Sequence, residues 1–194
     1  MKPLSRDVSI MLLTSLSVVM VATRFHHLGS LIHLPDASMA VFFLGGLYLR
    51  RHRLFVLMLA LAVGVDWASV GYAGNSDFCI TAAYAFLPLS YAALWYGGRL
   101  YARHLEATAG SFALAFGVAL ISATVAFGIS NGSFYWLGGR YPEPNVSQYV
   151  ARLWQWGPLF VRTTMAYIAV ALALHAVLAR VIHRRVATVS PNHL

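Results

Sequence analysis

The segment PDASMAVFFLGGLYLRRHR, Pro35 to Arg53, decides how this chain is organised. Its apolar part runs to Leu49, roughly 15 residues or about 22 Å at the helical rise, which is short for a membrane crossing and ambiguous by length alone. Charge resolves the ambiguity. If this stretch crosses, Lys2, Arg6, Arg50, Arg51, Arg53, Arg99, Arg103, Arg180, Arg184 and Arg185 fall on one side, ten of the fourteen basic residues. Arg24, Arg140, Arg152 and Arg162 are left towards the other. If it does not cross, the Arg50 to Arg53 and Arg99 to Arg103 clusters change sides and the bias collapses. Six spans with both termini cytoplasmic are therefore expected.

The rest of the chain agrees with that reading. Of 194 residues, 59% are hydrophobic and 10% charged, with a mean hydropathy of +0.67. Such a composition excludes a water-soluble domain and gives the fold class as an all-α integral membrane protein with one membrane domain over residues 1–194. Fourteen basic residues against six acidic ones would suggest nucleic acid in a soluble chain. Here they lie in short clusters between apolar runs, which is topology signalling. No small-residue cleavage site follows the first apolar run, so Val8 to Thr23 is expected as a retained span. The spans are expected near residues 8–23, 35–49, 54–70, 79–96, 110–129 and 158–179, with outward loops at 24–34, 71–78 and 130–157. Pro35 is expected in the first turn of the second helix, Pro88 as an interruption of the fourth. Ala115, Ala119 and Ala123, at four-residue spacing, form a ridge suited to close helix packing.

The outward loops are richer in polar and aromatic groups than the inward ones, which points to a binding site on the outer face. Cys79 is the chain's only cysteine and lies at the mouth of the fourth span, between Asp77 and Tyr84. It is either a small packed hydrophobe or a soft ligand for a metal centre, since coordination deprotonates a thiol. His26, His27 and His33 gather in the first outward loop, as solvated side chains or as imidazole ligands; His27 is singled out as nearest the end of the first span. No spacing typical of a closed zinc site occurs. Asp66 falls about 18 Å across its helix. A carboxylate there needs a partner or a wet cavity, and Arg162, at comparable depth, is the expected ion-pair partner. In the third outward loop, Ser130 to Trp156, seven of 27 residues are aromatic. Its run NVSQYVARLWQW reads as a short amphipathic helix with Asn145 as its cap. Arg152 is expected on the polar side of that helix with Gln148 and Gln155, facing solvent or reaching over a cavity to an amide or phosphate of a ligand.

Two segments, RFHHLGSLIHLPDASMAVFFLGGLYLR and SDFCITAAYAFLPLSYAALWYGG, carry a resemblance. With the six spans and the size of the chain, they resemble the substrate-binding S components of energy-coupling-factor (ECF) vitamin transporters. Within that class they are similar to the solitary cobalamin-specific members, the BtuM group. The resemblance covers essentially the whole chain. It implies uptake of vitamin B12 or a related corrinoid across the inner membrane of a bacterium, with cobalamin as the transported ligand and no separate cofactor. It further implies Cys79 as an axial ligand to cobalt, with His27, Asp66, Tyr84 and Arg152 lining the site, and leaves cyanide removal at Cys79 as an added activity. The first span lacks the paired alanines with which S components of this class dock an energising module, which puts that coupling in doubt, and no Walker motif is present. The alternatives are an S component for a different vitamin with Cys79 merely packed, and a haem-binding or intramembrane enzyme subunit. His175 is the one histidine clearly within a span.

Overall fold

A computed structural model describes residues 5–24, 34–73 and 80–189. Every regular element among them is helical: α1 (Arg6–Arg24), α2 (Ser38–Tyr48), α3 (His52–Ala73), a 3-10 turn (Ala82–Phe86), α4 (Leu87–Tyr101), α5 (Ala109–Leu137) and α6 (Val146–Val189). Four stretches, Arg6–Arg24, His52–Tyr72, Ala109–Leu137 and Val146–Ile182, are long and apolar enough to cross a bilayer. The chain is thus a multi-pass helical membrane protein.

The centre of the bundle is α2. It has only 11 residues, yet nine of them are buried, as suits a helix that is apolar all round. Phe42 stacks on Tyr91 of α4 with ring centroids 4.0 Å apart and meets Phe55 of α3 and Trp95 of α4 edge-on. The two helices α2 and α4 cross nearly backbone to backbone. A Cβ on Gly46 would fall on the Trp95 carbonyl, and one on Gly98 would fall on the Phe43 carbonyl. On its other side α4 meets α5: Gly97 lies against Ser122, and Ser90 Oγ donates to the Ala126 carbonyl at 2.8 Å. Ala115, Ala119 and Ala123 are fully buried in the core with Ala126, so the expected ridge is a packing face.

Prolines mark three differences from the expected boundaries. The second helix starts at Ser38, not Pro35, because Asp36 Oδ1 accepts the Ser38 amide at 2.9 Å and Thr23 Oγ1 accepts the Ala37 amide at 3.1 Å. Both bonds compete with an earlier helical start. Pro88 interrupts nothing. It sits in the first turn of α4, where its missing N–H costs no helical bond, and the chain before it forms the 3-10 turn. The largest difference is at the third outward loop. α5 continues to Leu137 and α6 starts at Val146, so most of residues 130–157 is helical. Asn145 caps α6 as expected, its Oδ1 accepting the Gln148 amide at 2.9 Å. The helix it opens then runs unbroken through Pro158 for 44 residues. A proline removes one helical bond without forbidding the turns on either side. Around it the helices interlock: Gly157 abuts Phe127, and Phe127 packs on Phe160 with centroids 5.8 Å apart.

Candidate functional site

Arg24 is the last residue of α1, and its side chain is only 11% exposed. It is almost fully used. Nε and Nη2 donate to the two carboxylate oxygens of Asp66 on α3, at 2.5 and 2.6 Å. Nη1 donates to Tyr91 Oη on α4 at 2.6 Å and to Ser38 Oγ on α2 at 2.9 Å, with Asp36 Oδ2 at 3.5 Å. Tyr84, in the 3-10 turn, donates its phenol to Asp66 Oδ2 at 2.6 Å. One guanidinium therefore ties four helices, and its main partner ties a fifth element. The two-pronged geometry is the strong form of a charge-assisted bond. Tyr167 of α6 joins the same end by donating to the Pro35 carbonyl at 2.8 Å.

This corrects the expected partner of Asp66. Arg162 is exposed, and α3 packs against α1, α2 and α4 with no contact to α6 among the described residues. Equal depth gives two residues the same level in a bilayer without making their helices neighbours. Asp66 and Tyr84, both expected to line the site, are brought together. Cys79 and His27 lie outside the described residues; in the sequence Arg24 immediately precedes segment 25–33, and Tyr84 follows Cys79 by five positions.

Arg152 belongs to a second cluster, at the turn between α5 and α6. Tyr135 is buried at its centre, stacked on Tyr149 with centroids 5.3 Å apart and packed on Tyr141 at 4.6 Å. Its hydroxyl lies 2.6 Å from Gln148 Oε1 and accepts the Asn145 amide at 2.9 Å. The Arg152 guanidinium sits 4.8 Å from the Tyr141 ring centroid, a cation–π seat worth about 0.5–2 kcal/mol. It is half-buried rather than turned to solvent with the exposed Gln155, and its Nε is buried with no hydrogen-bond partner among the described residues. The clusters adjoin through the 3-10 turn, which packs on α5 where a Cβ at Gly138 would lie 3.4 Å from Thr81 Oγ1.

Sequence reasoning missed Arg24, Ser38, Tyr91 and Tyr167. The signal for Arg24 was present: a lone arginine closing an apolar run, with a buried carboxylate elsewhere in need of a cation. At the far end of the bundle, His175 Nδ1 lies 2.9 Å from Tyr48 Oη and packs edge-on against Phe112, which gives it a structural use. Among the described residues no three His, Cys, Asp or Glu side chains gather as a metal site. Comparison with known proteins finds no family model that matches the chain, and no curated protein matches it.

Proposed function

We propose that this protein is a six-span membrane transporter component that captures vitamin B12 or a close corrinoid at the outer face of a bacterial cytoplasmic membrane. In this reading α2 and α4 complete the six crossings. They are short, at 11 and 15 residues, and a stretch shorter than the hydrocarbon thickness is accommodated by local thinning of the bilayer and by flanking residues that reach the interface. With both termini inside, the clusters at Arg50 to Arg53 and Arg99 to Arg103 face the cytoplasm.

One observation supports the site above all others. The bonds from Arg24 to Asp66 and from Asp66 to Tyr84 link the residue that opens the His27 segment to the turn that follows Cys79. That link lies at one end of the bundle, and the 3-10 turn joins it to the aromatic hairpin of Tyr135, Tyr141 and Tyr149. A large flat ligand suits such a wall, and the cobalt of a corrinoid is the substrate centre to which Cys79 would bind through sulfur. The exchange is balanced without a reductant: the cobalt–sulfur bond forms as the axial ligand leaves, and the thiol proton departs with it. A cyanide on that face would leave as hydrogen cyanide.

The test is the visible spectrum of detergent-purified protein incubated with cobalamin and washed, wild type beside Cys79→Ala. Retained corrinoid whose bands shift only when Cys79 is present is the expected result. Equal bands in both proteins would keep the substrate and remove the thiolate. No retention by either would remove the corrinoid and direct the search to other vitamins.

A further inference from the structure

At the end of α2 and α4 opposite the Arg24 network, the chain concentrates positive charge. The link from α2 to α3 carries Arg50 and Arg51, the first turn of α3 carries Arg53, and the last turn of α4 carries Arg99 with Arg103 just beyond it. The stretch from Arg50 to Arg53 and the end of α4 touch. Arg50 Nη2 donates to the Ala102 carbonyl at 2.5 Å, and Arg99 Nη1 lies against the ring nitrogens of His52, whose Nδ1 is 2.8 Å from Tyr96 Oη. Burial, and then the charge of Arg103 close by, lower the pKa of the Arg50 guanidinium. Arg51, Arg53 and Arg103 are exposed. No carboxylate lies within ion-pair distance of Arg51, Arg53, Arg99 or Arg103 among the described residues. Exposed like charges with no carboxylate of their own make a surface that attracts an anionic partner.

The surroundings say what kind of anion. One turn along α3 from Arg53, Val56 and Leu57 are exposed, and Leu100, next to Arg99, is 77% exposed. A cationic cluster bordered by bare aliphatic side chains on membrane-spanning helices matches a phosphate carried on acyl chains better than a free ion or a soluble acidic protein. We infer that Arg51, Arg53, Arg99 and Arg103 hold the headgroup phosphate of an anionic phospholipid, with its chains lying along Val56, Leu57 and Leu100. Planar guanidinium groups suit a phosphodiester, since each can donate two parallel bonds to its oxygens. Arg50 stays engaged with the α4 carbonyl and positions the cluster. This site is independent of the corrinoid reading, because it uses neither the residues nor the end of the bundle on which that reading rests.

The experiment uses the full chain in detergent, delipidated and then supplied with phosphatidylglycerol or phosphatidylcholine, with bound lipids counted by native mass spectrometry. The expected result is preferential retention of phosphatidylglycerol. That preference should fall about tenfold or more in the double variant Arg51→Gln/Arg103→Gln, whose helical circular dichroism stays that of wild type. The variant Arg51→Lys/Arg103→Lys, which keeps the charge, retains most of the preference and guards against a folding artefact. Equal retention of the two lipids by the wild-type protein, or a preference untouched by the glutamine variant, overturns the proposal. So does stabilisation by inorganic phosphate alone equal to that by phosphatidylglycerol, which would make this a free-anion site. Stabilisation by a soluble polyglutamate peptide with none from phosphatidylglycerol would assign the face to an acidic protein instead.

Discussion

The two ends of α2 use arginine in opposite ways. At the start of the helix, one guanidinium is enclosed by Asp66, Asp36 and two hydroxyls and is nearly out of contact with the surroundings. At its end, Arg51, Arg53, Arg99 and Arg103 gather with no carboxylate in reach among the described residues. A buried charge must be neutralised by the protein itself, so its partners are fixed by the fold and their loss is felt as instability. An exposed cluster can borrow its counter-charge from outside, so its loss is felt as altered binding while the fold stands. The same residue type is therefore structural at one end and a ligand group at the other.

The strongest way to break this contrast is Asp66→Ala. It strands Arg24 in a buried position, and the expected cost is about 3–5 kcal/mol, measured as the unfolding midpoint of the detergent-solubilised protein. The paired replacement Arg24→Met/Asp66→Leu removes both charges and should recover most of that loss, because no uncompensated ion remains. An Asp66→Ala protein as stable as wild type would mean that this end is solvated like the other, and the contrast would fail.

A second substitution acts between the two ends. Gly98→Ala places a methyl group against the Phe43 carbonyl and, at 2.9 Å, the Leu47 amide, so α4 must move away from α2. Overpacking of this kind costs about 1–3 kcal/mol. Because α2 and α4 connect both clusters, lipid preference and corrinoid retention should weaken together, unlike in the end-specific variants. If only one end responds, the crossing is not the rigid link between them.

Parts of this arrangement were legible in the residues. The apolar runs mark the four long helices, the spacing of Ala115, Ala119 and Ala123 marks a buried face, and Asn145 marks a helix start, since each signal depends on near neighbours in the chain. The identity of the Asp66 partner was not legible. Depth along a helix follows from counting residues, but which helix lies beside it follows from packing, and α3 lies beside α1 rather than α6. Nor did the prolines declare themselves. Pro88 and Pro158 present the same local chemistry, yet one lies in a first turn and the other deep inside α6, where interlocking aromatics hold the helix together. The close crossing at Gly46 and Gly98 was equally silent, because a glycine in an apolar run shows nothing of the helix that approaches it.

The smallest expected effect is also the most revealing about the charged end. Arg50 holds a φ of 60°, the left-handed region that costs a non-glycine residue about 1–2 kcal/mol. The strain is sustained by what the side chain and backbone gain there. The Arg50 amide reaches the Gly45 carbonyl at 3.2 Å, and the guanidinium reaches the Ala102 carbonyl at 2.5 Å and that of Leu47 at 3.4 Å, quieting two helix ends whose dipoles favour a cation. Arg50→Ala keeps the strain and the amide bond but loses the two guanidinium bonds, so it should destabilise by about 1–2 kcal/mol. Arg50→Gly loses the same bonds but relieves the backbone, so its stability should lie within about 0.5 kcal/mol of wild type. The difference between the two midpoints isolates the backbone strain. If alanine and glycine prove equal, the strain is absent, and the turn that presents Arg51 and Arg53 to α4 is shaped by something other than the αL backbone at Arg50.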